Sequence, residues 1–168
     1  MQVEPVALSD HRGKTYLKVF LNDLGRSTIE DKNLVEKLGA IELTSVPVRR
    51  LDDYSFNESI GCIKIDVEGH EEAVLRGARL TLQRHHPALI IEIEERHNFG
   101  SVSRVNNLLK DLDYMGFFFH NHRLEPMNHF QVNINQHTVD INNSGKYINN
   151  FIFLPESSLP KIKDLLLC

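Results

Sequence analysis

The sequence predicts an α/β fold, a parallel sheet with helices packed on it. Three observations predict it. The run Ile63-Lys64-Ile65 leads to Asp66 as a buried strand of a parallel sheet would. Residues 71–84 follow with Val74, Ala78 and Leu82 on one helical stripe and Leu75 beside it. A second buried run, Ala88-Leu89-Ile90-Ile91, then ends in acids at Glu92, Glu94 and Glu95. This is a strand–helix–strand unit whose two strands both deliver carboxylates at their C-terminal ends. In open α/β sheets, ligands bind at that edge.

The local chemistry supports each step. Gly69 permits a tight turn after the first strand. Glu71 and Glu72 fall in the first helical turn, where the helix dipole favours negative charge. Arg76, Arg79 and Arg84 sit further along, where it favours positive charge. His85-His86-Pro87 stops the helix. Upstream, residues 3–8 read as a short strand, Ser9–Gly13 as a turn and Thr15–Leu21 as a hairpin partner. Asn22–Gly39 reads as a polar surface insertion with a short helix over Leu34, Val35 and Leu38. Glu42–Arg50 is another strand, and Leu51–Tyr54 a short helical or turn segment.

Downstream, Val102, Val105, Leu108, Leu109 and Leu112 recur at helical spacing, with Gly116 as the residue that ends the helix. Phe117–Phe119 is a strand. Residues 128–150 read as loop or marginal hairpin, and Phe151–Leu154 as a buried strand closed by Pro155. Pro160–Leu167 suits a terminal helix.

At 168 residues, 41% hydrophobic and 25% charged, the chain suits a single domain with its own core. A net charge of −4 argues against general affinity for nucleic acid or anionic membrane. No apolar segment approaches the roughly 20 residues of a membrane span. Met1 leads into Gln2-Val3-Glu4 rather than a basic and apolar leader. Cys62 and Cys168 make no disulfide framework, and Cys62 is expected as a core thiol. A cytoplasmic location is the expectation.

Each candidate group has two readings. Asp66 and Glu68 either face a ligand at the sheet edge or cap the next helix. His70 is either solvated or a base near an acceptor hydroxyl. Glu92 either binds an acceptor or accepts a helix-terminal N–H. Glu94 could join it, or lie on the surface with Glu95. His120 and His122 would share a face of one strand and, with His129 and His137, make a loose metal-ligand pattern.

The central stretch resembles the FkbM family of S-adenosylmethionine-dependent methyltransferases. The resemblance is carried by Lys64-Ile65-Asp66-Val67-Glu68-Gly69-His70-Glu71, by Val74-Leu75-Arg76-Gly77-Ala78, and by Pro87 to Glu92. Val6-Ala7-Leu8-Ser9-Asp10 with Gly13, and Val46-Pro47-Val48 with Leu51-Asp52-Asp53, resemble the family's upstream segments. The resemblance implies a Rossmann-like class I methyltransferase fold of three layers. It also implies S-adenosylmethionine as cofactor and transfer of its methyl group to a hydroxyl of a glycan or secondary metabolite. On that reading Asp66, Glu68 and His70 are catalytic, and Glu92 and Glu94 bind the acceptor. The family's opening strand with its Asp-x-Gly-Ala-Asn-x-Gly loop, and its second strand ending in Phe-Glu-Pro, do not occur in these residues. The chain is therefore expected to be the C-terminal portion of such a domain, truncated at its N-terminus, with weak or absent cofactor binding of its own.

Two other classes compete: a cofactor-free binding or scaffolding protein, and a divalent-metal hydrolase built on Asp66, Glu68 and Glu92. The resemblance also implies that the missing first strand would lie beside Ile63–Asp66. That edge should be covered by re-paired N-terminal strands, by a second copy of the chain or by residues upstream, and re-pairing or self-association is the expectation.

Overall fold

The computed structural model describes residues 2–22, 27–30, 40–141 and 146–160. The helix expected near Leu34–Leu38 and the one at Pro160–Leu167 lie outside the described residues, apart from Pro160 itself. Two sheets are present. The smaller contains β1 (Ala7–Leu8), β2 (Gly13–Phe20) and β3 (Ile41–Arg49) in the order β1-β3-β2. The hairpin expected between the strand at residues 3–8 and Thr15–Leu21 does not form: β3 lies between them, pairing in parallel with β1 and antiparallel with β2, with Tyr16 opposite Ser45.

The larger sheet contains β4 (Cys62–Ile65), β5 (Ala88–Glu92), β6 (Tyr114–His120), β7 (Arg123–Pro126) and β8 (Asn150–Pro155), in the order β4-β5-β8-β6-β7. β4 and β5 are parallel, and β8 runs antiparallel between β5 and β6. The α/β class and the shared sheet of Ile63–Asp66, Leu89–Glu92 and Phe151–Leu154 are as expected.

β4 and β5 are joined by α1 (Glu71–Arg76) and α2 (Arg79–His85), which make one helical run broken at Gly77-Ala78. His86, in the left-handed conformation at φ 45°, ends α2 before Pro87. Between β5 and β6 lies α3 (Ser101–Lys110). The strand residues Ile65, Leu89, Ile91, Phe151 and Phe153 share one buried core with Val74, Leu75, Leu82, Val105 and Leu109 of these helices. Of the three expected layers, the described residues thus supply the sheet and the helices on one face. On the opposite face Ile90, Met115 and Phe119 are exposed.

Several local expectations are corrected. Gly116 does not end α3. It lies within β6 opposite Phe153, where a Cβ would sit 2.6 Å from that ring. Asp113, at φ 61°, takes the left-handed position instead. His120 and His122 do not share a strand face: Asn121 and His122, both at positive φ, form the two-residue turn between β6 and β7. In residues 128–150, no hairpin forms among the described residues. Val132–Asn135 makes a single helical turn, α4, flanked by two shorter ones. Cys62 is exposed rather than buried, because β4 is an edge strand. The N-terminal strands do not re-pair with Ile63–Asp66, since β1 pairs with β3 and β4 with β5.

Polar contacts tie the small sheet and its following turn to the helices. Arg12 makes a bidentate pair with Asp53, both bonds at 2.8 Å, and Arg50 joins it. These two guanidiniums, Arg12 foremost, hold the Asp53 carboxyl well below the usual range. Asp52 does a different job. The residue before α2 is Ala78, which has no capping side chain. The Asp52 carboxylate accepts instead from the Leu80 and Thr81 N–H groups, at 3.0 and 2.8 Å, and from the Thr81 hydroxyl. Asp52→Ala is expected to destabilise the chain by about 1–2 kcal/mol, the usual cost of a lost cap, as measured by urea denaturation.

Candidate active site

The turn after β4 places the first group of acids. Glu68 at φ 49° and Gly69 at φ 99° reverse the chain before α1. A non-glycine residue held there is strained, and such residues cluster at functional sites. Glu71 turns back from the helix start, accepts the Gly69 N–H at 2.8 Å and is almost wholly buried. The end of β5 supplies Glu92 and, two residues on, Glu94.

Asp66, Glu68, Glu71, Glu92, Glu94 and His97 together line one narrow cleft at this sheet edge. The structure thus brings together four of the five predicted site residues. Asp66 and Glu92 are the more open, and Lys64 lies 3.7 and 3.8 Å from them. Glu68 lies deeper, 3.1 Å from the His97 ring. Glu94 is buried, against the surface alternative. It pairs with Arg96, accepts the Tyr147 hydroxyl at 3.0 Å and accepts Asn149 at 3.2 Å. Asn149 also donates to Glu92 at 2.7 Å. Glu95 is not merely a surface group either: it accepts the Val102 N–H at 3.0 Å and caps α3.

Crowding separates the protonation behaviour of these acids. Burial, then the charges of Glu94, Asp66 and Glu92, push the Glu68 carboxyl up to about 7. Burial and the Asp66 charge also raise Glu92. For Glu94 burial acts upward, but the bonds from Arg96 and Asn149 outweigh it and leave the group below its ordinary value. One ionised and one near-neutral carboxyl side by side is the arrangement that separates a binding group from a proton carrier.

His70 stands apart. One ring nitrogen lies 2.5 Å from Glu30 and the other 2.9 Å from the Ser9 hydroxyl. Both nitrogens therefore bond to the N-terminal part of the chain, and the ring clasps the small sheet to α1. Sequence reasoning missed His97, Arg96, Tyr147 and Asn149. Tyr147 and Asn149 approach from just before β8, more than 50 residues from their partners, and carry no local signal.

Among the described residues, no three of His, Cys, Asp or Glu are arranged to hold a metal ion, so the geometry gives the metal-hydrolase alternative no support. Nor do these residues fit S-adenosylmethionine by themselves. The roomy cavity next to Asp66, about 530 Å³, is walled mainly by aliphatic side chains. Its cation, Lys64, would repel a sulfonium, and its His70 is already bonded on both sides. No glycine-rich turn follows a strand there to cradle a nucleoside.

Among solved structures, the chain is similar to the methyltransferase FkbM from Methylobacillus flagellatus KT, at 20% identity and a TM-score of 0.44 over 66% of this chain. That match spans only 23% of the solved chain. No curated protein matches. The model of the methyltransferase FkbM domain matches residues 3–123, well over half of the chain. By that match, with the α/β fold and the acid cluster lying where the family motif runs, the chain belongs to the FkbM methyltransferase domain family.

Proposed function

We propose that the chain is the C-terminal, acceptor-binding portion of an S-adenosylmethionine-dependent O-methyltransferase domain acting on a hydroxyl of a glycan or another polyol. The observation that carries this reading is Glu68: a half-buried carboxyl, pushed up to about 7 by burial and its acidic neighbours, in strained backbone, beside Asp66, Glu92 and Glu94 at the C-terminal edge of the two parallel strands. A polyol presents donors, and Asp66 and Glu92 present acceptors that reach solvent. Asn149 fixes the Glu92 carboxylate. An acceptor hydroxyl placed between Asp66 and Glu68 would pass its proton to a Glu68 carboxylate oxygen as its own oxygen became the nucleophile. Glu68 replaces His70 as the base of choice, because His70 would first have to leave both Glu30 and Ser9. The residues described do not form the cofactor site.

The test is saturation-transfer NMR of the chain with a panel of sugars and inositols, alongside transfer of a labelled methyl group from S-adenosylmethionine to the same panel. The expected result is saturable polyol binding that Asp66→Asn combined with Glu92→Gln weakens by about tenfold or more, a difference of roughly 1.4 kcal/mol. Polyol binding unaffected by that double substitution, or no polyol binding and no methylated hydroxyl, would overturn the reading.

A further inference from the structure

His97 is the one nitrogen base on the wall of the acid cleft, which Asp66, Glu68, Glu71, Glu92 and Glu94 otherwise line. Its Nδ1 lies 3.1 Å from Glu68 Oε2, and the two side chains are equally buried, each 14% exposed. The loop that carries it is tied down at three points. The His97 N–H donates to the Glu94 carbonyl at 3.0 Å. The Asn98 side chain donates at 3.4 Å to the carbonyl of Gly69, the neighbour of Glu68 in the turn after β4. Arg104 of α3 donates to the Asn98 side-chain oxygen at 2.8 Å and to the Phe99 carbonyl at 2.7 Å. The ring is thus held against the carboxyl from both the β4 turn and α3.

A ring nitrogen at that distance acts on one form of Glu68 in particular. Hydrogen carried on Nδ1 supports an ionised carboxylate and offers a neutral carboxyl little. The other charged groups near Glu68 are engaged elsewhere or oppose its ionisation. Asp66 at the end of β4, Glu71 of α1, and Glu92 and Glu94 at the end of β5 are all acids. Lys64 lies between Asp66 and Glu92. Arg96 pairs with Glu94 and acts on Glu68 only through space. Tyr147 donates to Glu94, and His70 is bonded to Glu30 and Ser9. Among these groups, His97 is the one that meets the Glu68 carboxylate with a nitrogen.

We propose that His97 is the positioning residue for Glu68: it fixes the orientation of the carboxylate and favours its ionised form, so that a base set among other acids has lost its proton when the acceptor hydroxyl arrives. The inference rests on Glu68 as the base of methyl transfer and names the group that keeps it one. In that step the proton goes from the acceptor hydroxyl to the Glu68 carboxylate. The hydroxyl oxygen bonds to the methyl carbon as the bond from that carbon to the sulfonium sulfur breaks. His97 neither gains nor loses a proton. Without the ring, burial and the four acids would keep Glu68 protonated to higher pH.

The experiment follows the side-chain carboxyl carbons of the 168-residue chain by NMR as pH is varied, with Glu68→Gln identifying the Glu68 signal. His97→Phe is expected to raise the Glu68 midpoint by about one to two pH units, the worth of one hydrogen bond to a charged group. His97→Asn places an N–H at about the Nδ1 position and should restore at least about half of that shift. In the unsubstituted chain the His97 ring nitrogens should show a step at the Glu68 midpoint, and Glu68→Gln should abolish it. That readout does not depend on how His97→Phe folds. Within a complete methyltransferase domain, His97→Phe should lower turnover about fivefold or more at pH 7, with recovery at higher pH as Glu68 loses its proton. An unchanged Glu68 midpoint in a natively folded His97→Phe chain would overturn the proposal. So would an Asn variant that behaves like the Phe variant, or His97 nitrogens with no step linked to Glu68. No acceptor or cofactor enters the titrations. Their failure therefore leaves polyol binding by Asp66 and Glu92 standing, and absence of polyol binding does not alter their outcome.

Discussion

Within a complete methyltransferase domain that supplies the cofactor site, Glu68→Gln is expected to lower methyl transfer by about 10²–10⁴-fold, the usual contribution of a positioned base, while making the folded chain more stable at neutral and alkaline pH. The two effects have one cause. The Glu68 carboxyl ionises near pH 7 in the folded chain against an ordinary value of 4.5. The folded state therefore holds this proton where the unfolded state has released it. By linkage, the stability associated with that proton is complete below pH 4.5 and is lost as pH rises toward about 7. Glutamine keeps the shape and carries no charge, so the variant should lack this decline. Allowing for partial solvent access and the nearby His97, the gain at pH 8 is about 1–2 kcal/mol, read from urea denaturation at pH 5 and pH 8. Wild-type turnover should rise through pH 7 as Glu68 loses its proton. A variant that keeps wild-type turnover, or that is destabilised equally at both pH values, would count against Glu68 as the base.

Gly77→Ala should be strongly destabilising. Gly77 has ordinary helical backbone, φ −75°, so any residue could adopt its conformation. The obstacle is space. A Cβ there would fall 1.9 Å from the Ser9 carbonyl oxygen and 2.8 Å from its carbon, both main-chain atoms that no rotamer change can move. Ser9 is wholly buried and bonded to His70. Relief therefore requires the N-terminal segment to move off the α1–α2 junction. The expected cost is about 3 kcal/mol, the upper end for overpacking, which in a domain of this size lowers the melting temperature by roughly 10 °C. Gly61→Ala is the control, since a Cβ there meets nothing within 4 Å. The Ser9 contact should be lost as well, visible as a changed His70 ring environment by NMR.

By itself, the sequence determined the parts of this protein that depend on periodicity and on neighbours along the chain. The Ile63–Asp66 strand, the stripe of Val74, Ala78 and Leu82, the stop at Pro87 and the second strand to Glu92 are all readable, because apolar period and turn residues are local properties. Placing carboxylates at the ends of two parallel strands followed from the same reading, and it brought Asp66, Glu68, Glu92 and Glu94 to one edge. Tertiary structure decided what those groups are. Glu94 is buried because Arg96, Tyr147 and Asn149 converge on it, and the last two arrive from a distant segment. Glu68 ionises late because burial takes its carboxylate out of water and the charges of Glu94, Asp66 and Glu92 add to that. His70 is a clasp rather than a free imidazole because Ser9 and Glu30, 61 and 40 residues away, take both its nitrogens. Cys62 sits in an apolar run that reads as core and is exposed in fact, because burial depends on which strand lies alongside, and among the described residues β4 is paired on one side only, by β5.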